Sequence, residues 1–162
     1  MKKQFAENII KPEIRRTSEL PFHNDLAPGK RRVFIEKKLF PDSDLYVMVR
    51  TAKDVMFNQP EYVESHAHNV SSVYIFLGNN EGLEGLKAEV ILNGEIYVVS
   101  SPVTIFIPKG VVHSYRLIEG TGYFTHIVLS GNYNDSLIYS DVNEPFVDET
   151  CDIEGGAKDA WR

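Results

Sequence analysis

The stretch Glu64–Gly78, ESHAHNVSSVYIFLG, sets two histidines one residue apart at the head of an apolar, β-branched run. Side chains alternate faces along a strand, so Tyr62, Glu64, His66 and His68 are expected on one side and Val63, Ser65 and Ala67 on the other. Two imidazoles about 7 Å apart along a strand can turn their rings onto one metal ion with bonds of roughly 2.0 to 2.2 Å. A His-X-His pair alone says little, because solvent-facing strands carry such pairs by chance.

Outward from this stretch, the chain from about Arg32 onward is a series of short runs rich in Val, Ile, Tyr and Phe, punctuated by Gly, Pro, Asn and Asp. The runs are RVFIEKKLF, DLYVMVRTA, EYVESHAH, SVYIFLG, LKAEVILN, EIYVVS, VTIFIP, VHSYRLI and GYFTHIVLS. Asn93-Gly94 between two of them supplies the positive φ angles of a type I′ turn, which predicts a hairpin over roughly Leu86 to Ser100. Regularly spaced strands without intervening helical patterns predict an all-β antiparallel sandwich or barrel.

Both ends differ from this middle. Residues 1–31 are read as an N-terminal arm, in which Pro12, Pro21 and Pro28 leave room for a short helix at Gln4 to Ile10 at most. Residues 131–162 are read as an acidic tail, poor in aliphatic residues, with SLIYS or EPFV as segments that could dock on the barrel. Formal charge is +5 over residues 1–38, −5 over 39–130 and −6 over 131–162. The basic Lys30–Arg32 cluster has no nucleic-acid-reading motif around it and belongs to a chain of net charge −6, so no nucleic-acid partner is expected.

The 162 residues suffice for one domain with its own core. No run of apolar residues is long enough to span a membrane, and the charged N-terminus lacks the apolar core of a signal peptide, so a cytoplasmic protein is expected. Cys151 is the single cysteine and lies in the polar tail, which rules out an intrachain disulfide.

The second informative stretch is IFIPKGVVHSY, Ile105 to Tyr115. A strand ends at Pro108, the chain turns at Gly110, and His113 opens the next strand. A fixed φ, a flexible turn residue and a histidine at a set distance place one imidazole reproducibly at a barrel mouth.

HAH followed some 40 residues later by PKGVVH, with a hairpin between, resembles the two-motif signature of the cupin superfamily over roughly residues 40 to 130. The resemblance implies a double-stranded β-helix barrel (a jelly roll) over residues 32–130, a homodimer, and one divalent metal ion (Fe, Zn, Mn or Ni). His66, His68 and His113 match the family's three histidine positions. The family's first motif also carries a Glu separated from its second histidine by three or four intervening residues, where this chain has Ser72 and Val73. Pro60 and Pro102 stand where motif glycines are usual, and Leu117 where an Asn is frequent.

Three solutions to the missing carboxylate stay open: a site of three histidines, Glu64 as substitute ligand or general base, or a metal-free pocket. Three neutral imidazoles leave the full 2+ charge on an ion, so a small anionic or chelating substrate would supply the compensating charge.

The remaining candidates each carry a plainer reading. Glu64 and Tyr115 are the possible acid/base pair, although strand tyrosines are routine core residues. Arg50, Tyr62 and His126 are candidate substrate contacts, although a lone strand histidine is more often a hydrogen-bonded packing residue and a strand-end arginine is more often exposed. His23, in the arm, receives no role. The expected function is a metal-binding cupin acting as an iron-dependent dioxygenase on a small molecule. The alternatives are a non-catalytic sensor and a sugar isomerase or epimerase.

Overall fold

The structure is a computed structural model that describes residues 4–139. Ten strands build it: β1 (Glu13–Arg15), β2 (Arg31–Ile35), β3 (Tyr46–Val55), β4 (Ala67–His68), β5 (Ser72–Gly78), β6 (Leu86–Leu92), β7 (Glu95–Ser100), β8 (Val103–Ile107), β9 (His113–Val128) and β10 (Leu137–Ile138). All pairings are antiparallel. The main sheet runs β1-β2-β3-β9-β5-β8, with β6 branching from β9 and β7 pairing with β6, while β10 pairs with β4. Among the described residues no helix is long and apolar enough to cross a membrane.

β9 organises the barrel. Its first half, from His113 to Gly120, pairs with β6, and its second half lies between β3 and β5. The sequence reading divides this segment into two strands at Gly120 and Gly122, but the chain runs through both as one 16-residue strand. Gly120 holds φ +100°, and a Cβ there would stand 1.9 Å from the Gly85 carbonyl oxygen, so only glycine lets β9 continue past that backbone.

The Asn93-Gly94 hairpin forms as its sequence predicts, with Leu92 opposite Glu95 and φ of +46° and +83° at the two turn residues. Its tip also braces the second histidine motif. Asn93 N–H donates to Val112 O (2.7 Å), and Val112 N–H donates to Asn93 Oδ1 (3.0 Å).

Inward residues alternate as a half-buried sheet requires. Ser72, Tyr74 and Phe76 of β5, Leu86, Ala88 and Val90 of β6, and Leu117, Phe124, His126 and Val128 of β9 are buried. Tyr115 and Phe124 rings meet at 3.9 Å, with Phe76 stacked on Phe124 at 5.0 Å. Each such aromatic contributes on the order of 1.5–3 kcal/mol by burial. β7 differs from this pattern: Ile96 and Val98, nearly two-thirds exposed, point apolar side chains outward.

Two sequence expectations are corrected. RVFIEKKLF is a strand only to Ile35, after which the chain turns. EYVESHAH is a ladder strand only at Ala67–His68; before that the chain is tied by single bridges, Val63 to His23 and His66 to His113. Of the expected helix at Gln4 to Ile10, one 3-10 turn at Ala6–Asn8 is present. EPFV and Cys151 lie outside the described residues.

Between residues 13 and 30 the chain is tied to the barrel. β1 pairs with β2, and the guanidinium of Arg50 in β3 donates to Thr17 Oγ1 (2.8 Å), Pro28 O and Gly29 O. Residues 133–138 return across the histidine end of the barrel, where β10 pairs with β4.

Candidate metal centre

The two histidine motifs meet through their backbones. His66 N–H donates to His113 O (3.1 Å) and His113 N–H to His66 O (2.8 Å), while Gly110 N–H donates to His68 O (2.8 Å). This exchange sets His66, His68 and His113 side by side, with ring centroids 4.9 to 5.3 Å apart. One nitrogen from each lies within 4.8 Å of the others. Small ring rotations close that to the roughly 3–4 Å separating two nitrogens on one ion.

The partners of these rings fix which nitrogen points inward. Nδ1–H of His66 donates to Glu64 O (2.7 Å), and that of His113 to Val111 O (2.8 Å). His68 Nδ1 contacts Ser136 Oγ at 2.8 Å. Ser136 Oγ donates its own proton to Tyr133 O, so it accepts from His68 Nδ1–H. All three rings therefore carry hydrogen on Nδ1 and a lone pair on Nε2, the arrangement that an outer hydrogen bond imposes on metal-binding histidines.

Nε2 of His68 and of His113 is buried without a partner. An unsatisfied buried acceptor is costly, and two of them this close together are what a divalent cation could satisfy. The residues present fit such an ion.

Electrostatics keep these rings uncharged. Burial, helped by neighbouring imidazoles, pushes His68 down to about 2, and burial likewise pushes His113 down to about 4. Burial also lowers His66. The rings are neutral at physiological pH, the state in which imidazole binds metal.

Around the three rings lie residues from distant parts of the chain. His126 of β9 is 3% exposed, its ring 5.9 Å from His68 and 4.7 Å from Tyr74, with Nε2 unpartnered. His23, which the sequence reading left without a role, stands 5.1 Å from the His66 ring and donates from Nδ1 to Pro21 O. Phe22 stacks on His66 at 5.6 Å. Tyr133 donates its O–H to His66 Nε2 at 2.8 Å, and its ring is 4.8 Å from His68. All five histidines thus gather at one end of the barrel, under residues 22–23 on one side and 133–136 on the other. No spacing rule flags His23, Tyr133 or Ser136, because each reaches the site by loop closure.

Of the other sequence candidates, Glu64 is exposed, and its contact with the cluster is the backbone carbonyl that His66 uses. Strand alternation had placed its side chain beside the histidines, but residues 61–66 do not form a regular ladder. Its carboxylate lines a surface cleft with Glu61, Ser65, Glu89, Ser114 and Arg116. Tyr115 is buried in the aromatic core one layer below the cluster, with Tyr74 in contact with both it and His113. Tyr62 packs edge-on against Tyr115, and its oxygen accepts from Leu117 N–H (2.7 Å). Arg50 is 1% exposed, engaged with Thr17, Pro28 and Gly29. Ser72, at the position of the family's carboxylate, faces inward with Oγ unpartnered.

No protein-family model and no curated protein matches the sequence. Solved structures do match it. A cupin 2 domain-containing protein from Halorhodospira halophila is 12% identical, covering 82% of this chain and 85% of the other at a TM-score of 0.51. Oxalate decarboxylase of Bacillus subtilis, a protein described with Mn(II) centres, is 16% identical over 78% of this chain at a TM-score of 0.50; this chain spans 30% of its length. With an antiparallel barrel, a hairpin between the two histidine motifs and these structural neighbours, the chain has the cupin fold.

Proposed function

We propose that the protein binds one divalent metal ion through Nε2 of His66, His68 and His113, and acts as an iron-dependent dioxygenase on a small anionic or chelating substrate. The observation that carries the metal is the set of three buried neutral rings gathered within 4.8 Å, each with Nδ1–H committed to an oxygen and a lone pair left on Nε2. A bound ion would supply Lewis-acid polarisation and, as iron, activation of dioxygen.

The chain's own residues do the rest. Glu64 O, Val111 O and Ser136 Oγ hold the imidazoles in the binding tautomer, while Phe22, Tyr133 and the aromatic core keep bulk water from the rings. No carboxylate joins the cluster among the described residues. The ion would keep its 2+ charge, which favours an anionic ligand.

A non-catalytic binding role is the second reading, favoured by how deeply the rings lie: His68 and His113 are each 1% exposed. A sugar isomerase finds less support, since Glu64 opens on a surface cleft and Tyr115 lies in the core. The same proposal makes the protein a cytoplasmic homodimer, with the outward apolar side chains Ile96, Val98 and Phe106 as surface for a second copy.

The test is elemental analysis of protein purified without chelator, beside folded His66→Ala and His113→Ala variants. Near-stoichiometric metal in the wild type, lost in both variants, is the expected result. A wild type that stays metal-free after anaerobic loading with iron, zinc, manganese and nickel would refute the metal centre. Oxygen consumption by iron-loaded protein with thiols, diketones and hydroxy acids then separates enzyme from binding protein.

A further inference from the structure

The Tyr133 side chain closes on His66, one of the three clustered histidines. Its hydroxyl is 2.8 Å from His66 Nε2, and the ring is 2% exposed. Because His66 Nδ1–H is committed to Glu64 O, Nε2 is the acceptor of the Tyr133 O–H. His66 Nε2 has no hydrogen to give, so the Tyr133 hydroxyl is the donor of this contact. A metal bonded to His66 needs that same lone pair at about 2.1 Å. His66 Nε2 has one lone pair, so the Tyr133 O–H would compete with an ion for it.

The hydroxyl has few other places to go. Tyr133 is clamped between Tyr46 (5.1 Å) and His68 (4.8 Å), and its backbone carbonyl accepts from Ser136 Oγ and N–H. Ser136 is itself the partner of His68, and the next two residues pair with β4. Displaced from His66, the O–H can tilt but not leave. His23 Nε2, 3.5 Å away, is one acceptor; a ligand bound to the metal would be another.

Resting on the three-histidine centre proposed above, we propose that Tyr133 is its positioning residue. Its hydroxyl latches His66 while the chain is metal-free and donates a hydrogen bond to an anion held by the metal once the ion is bound. The anion class this favours is a small carboxylate or similar oxyanion with one lone pair free for a phenol donor.

The experiment compares wild type and Tyr133→Phe, first titrated with Co(II) and followed by visible absorption, then titrated with azide as a probe anion. A neutral hydrogen bond lost from the metal-free state makes Co(II) bind about three- to tenfold tighter to Tyr133→Phe. Loss of the donor makes azide bind about three- to tenfold weaker to the loaded variant. A merely structural tyrosine would lower both affinities or neither. Equal or weaker Co(II) binding by Tyr133→Phe, or unchanged azide affinity, overturns the proposal. If neither protein takes up Co(II), the metal centre itself fails and this proposal with it, a different outcome from a bound but unshifted ion. Should Tyr133→Phe not fold, the wild type decides. The Tyr133 hydroxyl proton, buried and hydrogen-bonded, is expected as a distinct NMR resonance that moves on Zn(II) loading, and a resonance that stays in place overturns the latch.

Discussion

Ser136→Ala removes a single oxygen 68 residues away in sequence from the histidine it holds. Ser136 is 1% exposed; its Oγ accepts from His68 Nδ1–H at 2.8 Å and donates to Tyr133 O at 2.7 Å. The carbonyl keeps a second partner, the Ser136 N–H at 3.2 Å, so its loss is small. His68 has no replacement, and a buried unpaired donor costs about 1–3 kcal/mol. That is the expected destabilisation of the metal-free chain, read by urea unfolding. The imidazole can escape part of this cost by moving its hydrogen to Nε2, but that places a proton where the metal would bind. Loss of an outer partner of a ligating histidine typically weakens metal affinity about 10- to 100-fold, equivalent to about 1.4–2.8 kcal/mol. Calorimetric titration with Zn(II) measures it. A Ser136→Ala protein with unfolding within 0.5 kcal/mol of wild type and an unchanged Zn(II) constant would refute the account of how His68 is held.

Two further outcomes follow from the same reasoning. Gly94 and Gly120 both have positive φ, but Gly94 faces open space while a Cβ at Gly120 would sit 1.9 Å from Gly85 O. Gly94→Ala should therefore cost only about 1 kcal/mol of backbone strain, and Gly120→Ala should yield little soluble folded protein; equal losses in chemical denaturation would contradict the close β9 approach. In the metal-free protein His23, His68, His113 and His126 all have pKa values pushed below 6.5, chiefly by burial. The unfolded chain then binds more protons, so stability is complete above pH 6.5 and falls as pH drops toward about 4, where His113 begins to titrate in the folded state. A thermal midpoint that stays flat from pH 7 to 4.5 would show that these rings are solvated.

Local pattern carried much of the fold. Alternating apolar runs located β3, β5, β6, β7 and β8, because a half-buried strand repeats every two residues whatever surrounds it. Asn93-Gly94 announced its hairpin because the required φ signs are written in two adjacent residues. The same logic failed at β9, where glycines that look like a break are the residues that let one strand pass under another. It failed again at Glu64, whose face was inferred from a ladder that begins only at Ala67.

The histidine centre divides the same way. His66, His68 and His113 were legible as a set because HAH and PKGVVH together resemble the cupin motifs. His23, His126, Tyr133 and Ser136 were not, because nothing within a few residues of each reveals what it will touch. Sequence by itself determined an all-β antiparallel fold and, through its resemblance to the cupin motifs, three candidate histidines. Tertiary structure alone decided which nitrogen of each ring faces inward, what covers the rings, and that no carboxylate stands among them in the described residues. The physical reason is that strand periodicity is a local property of the backbone, whereas burial and hydrogen-bond pairing are set by which distant segments the closed barrel brings together.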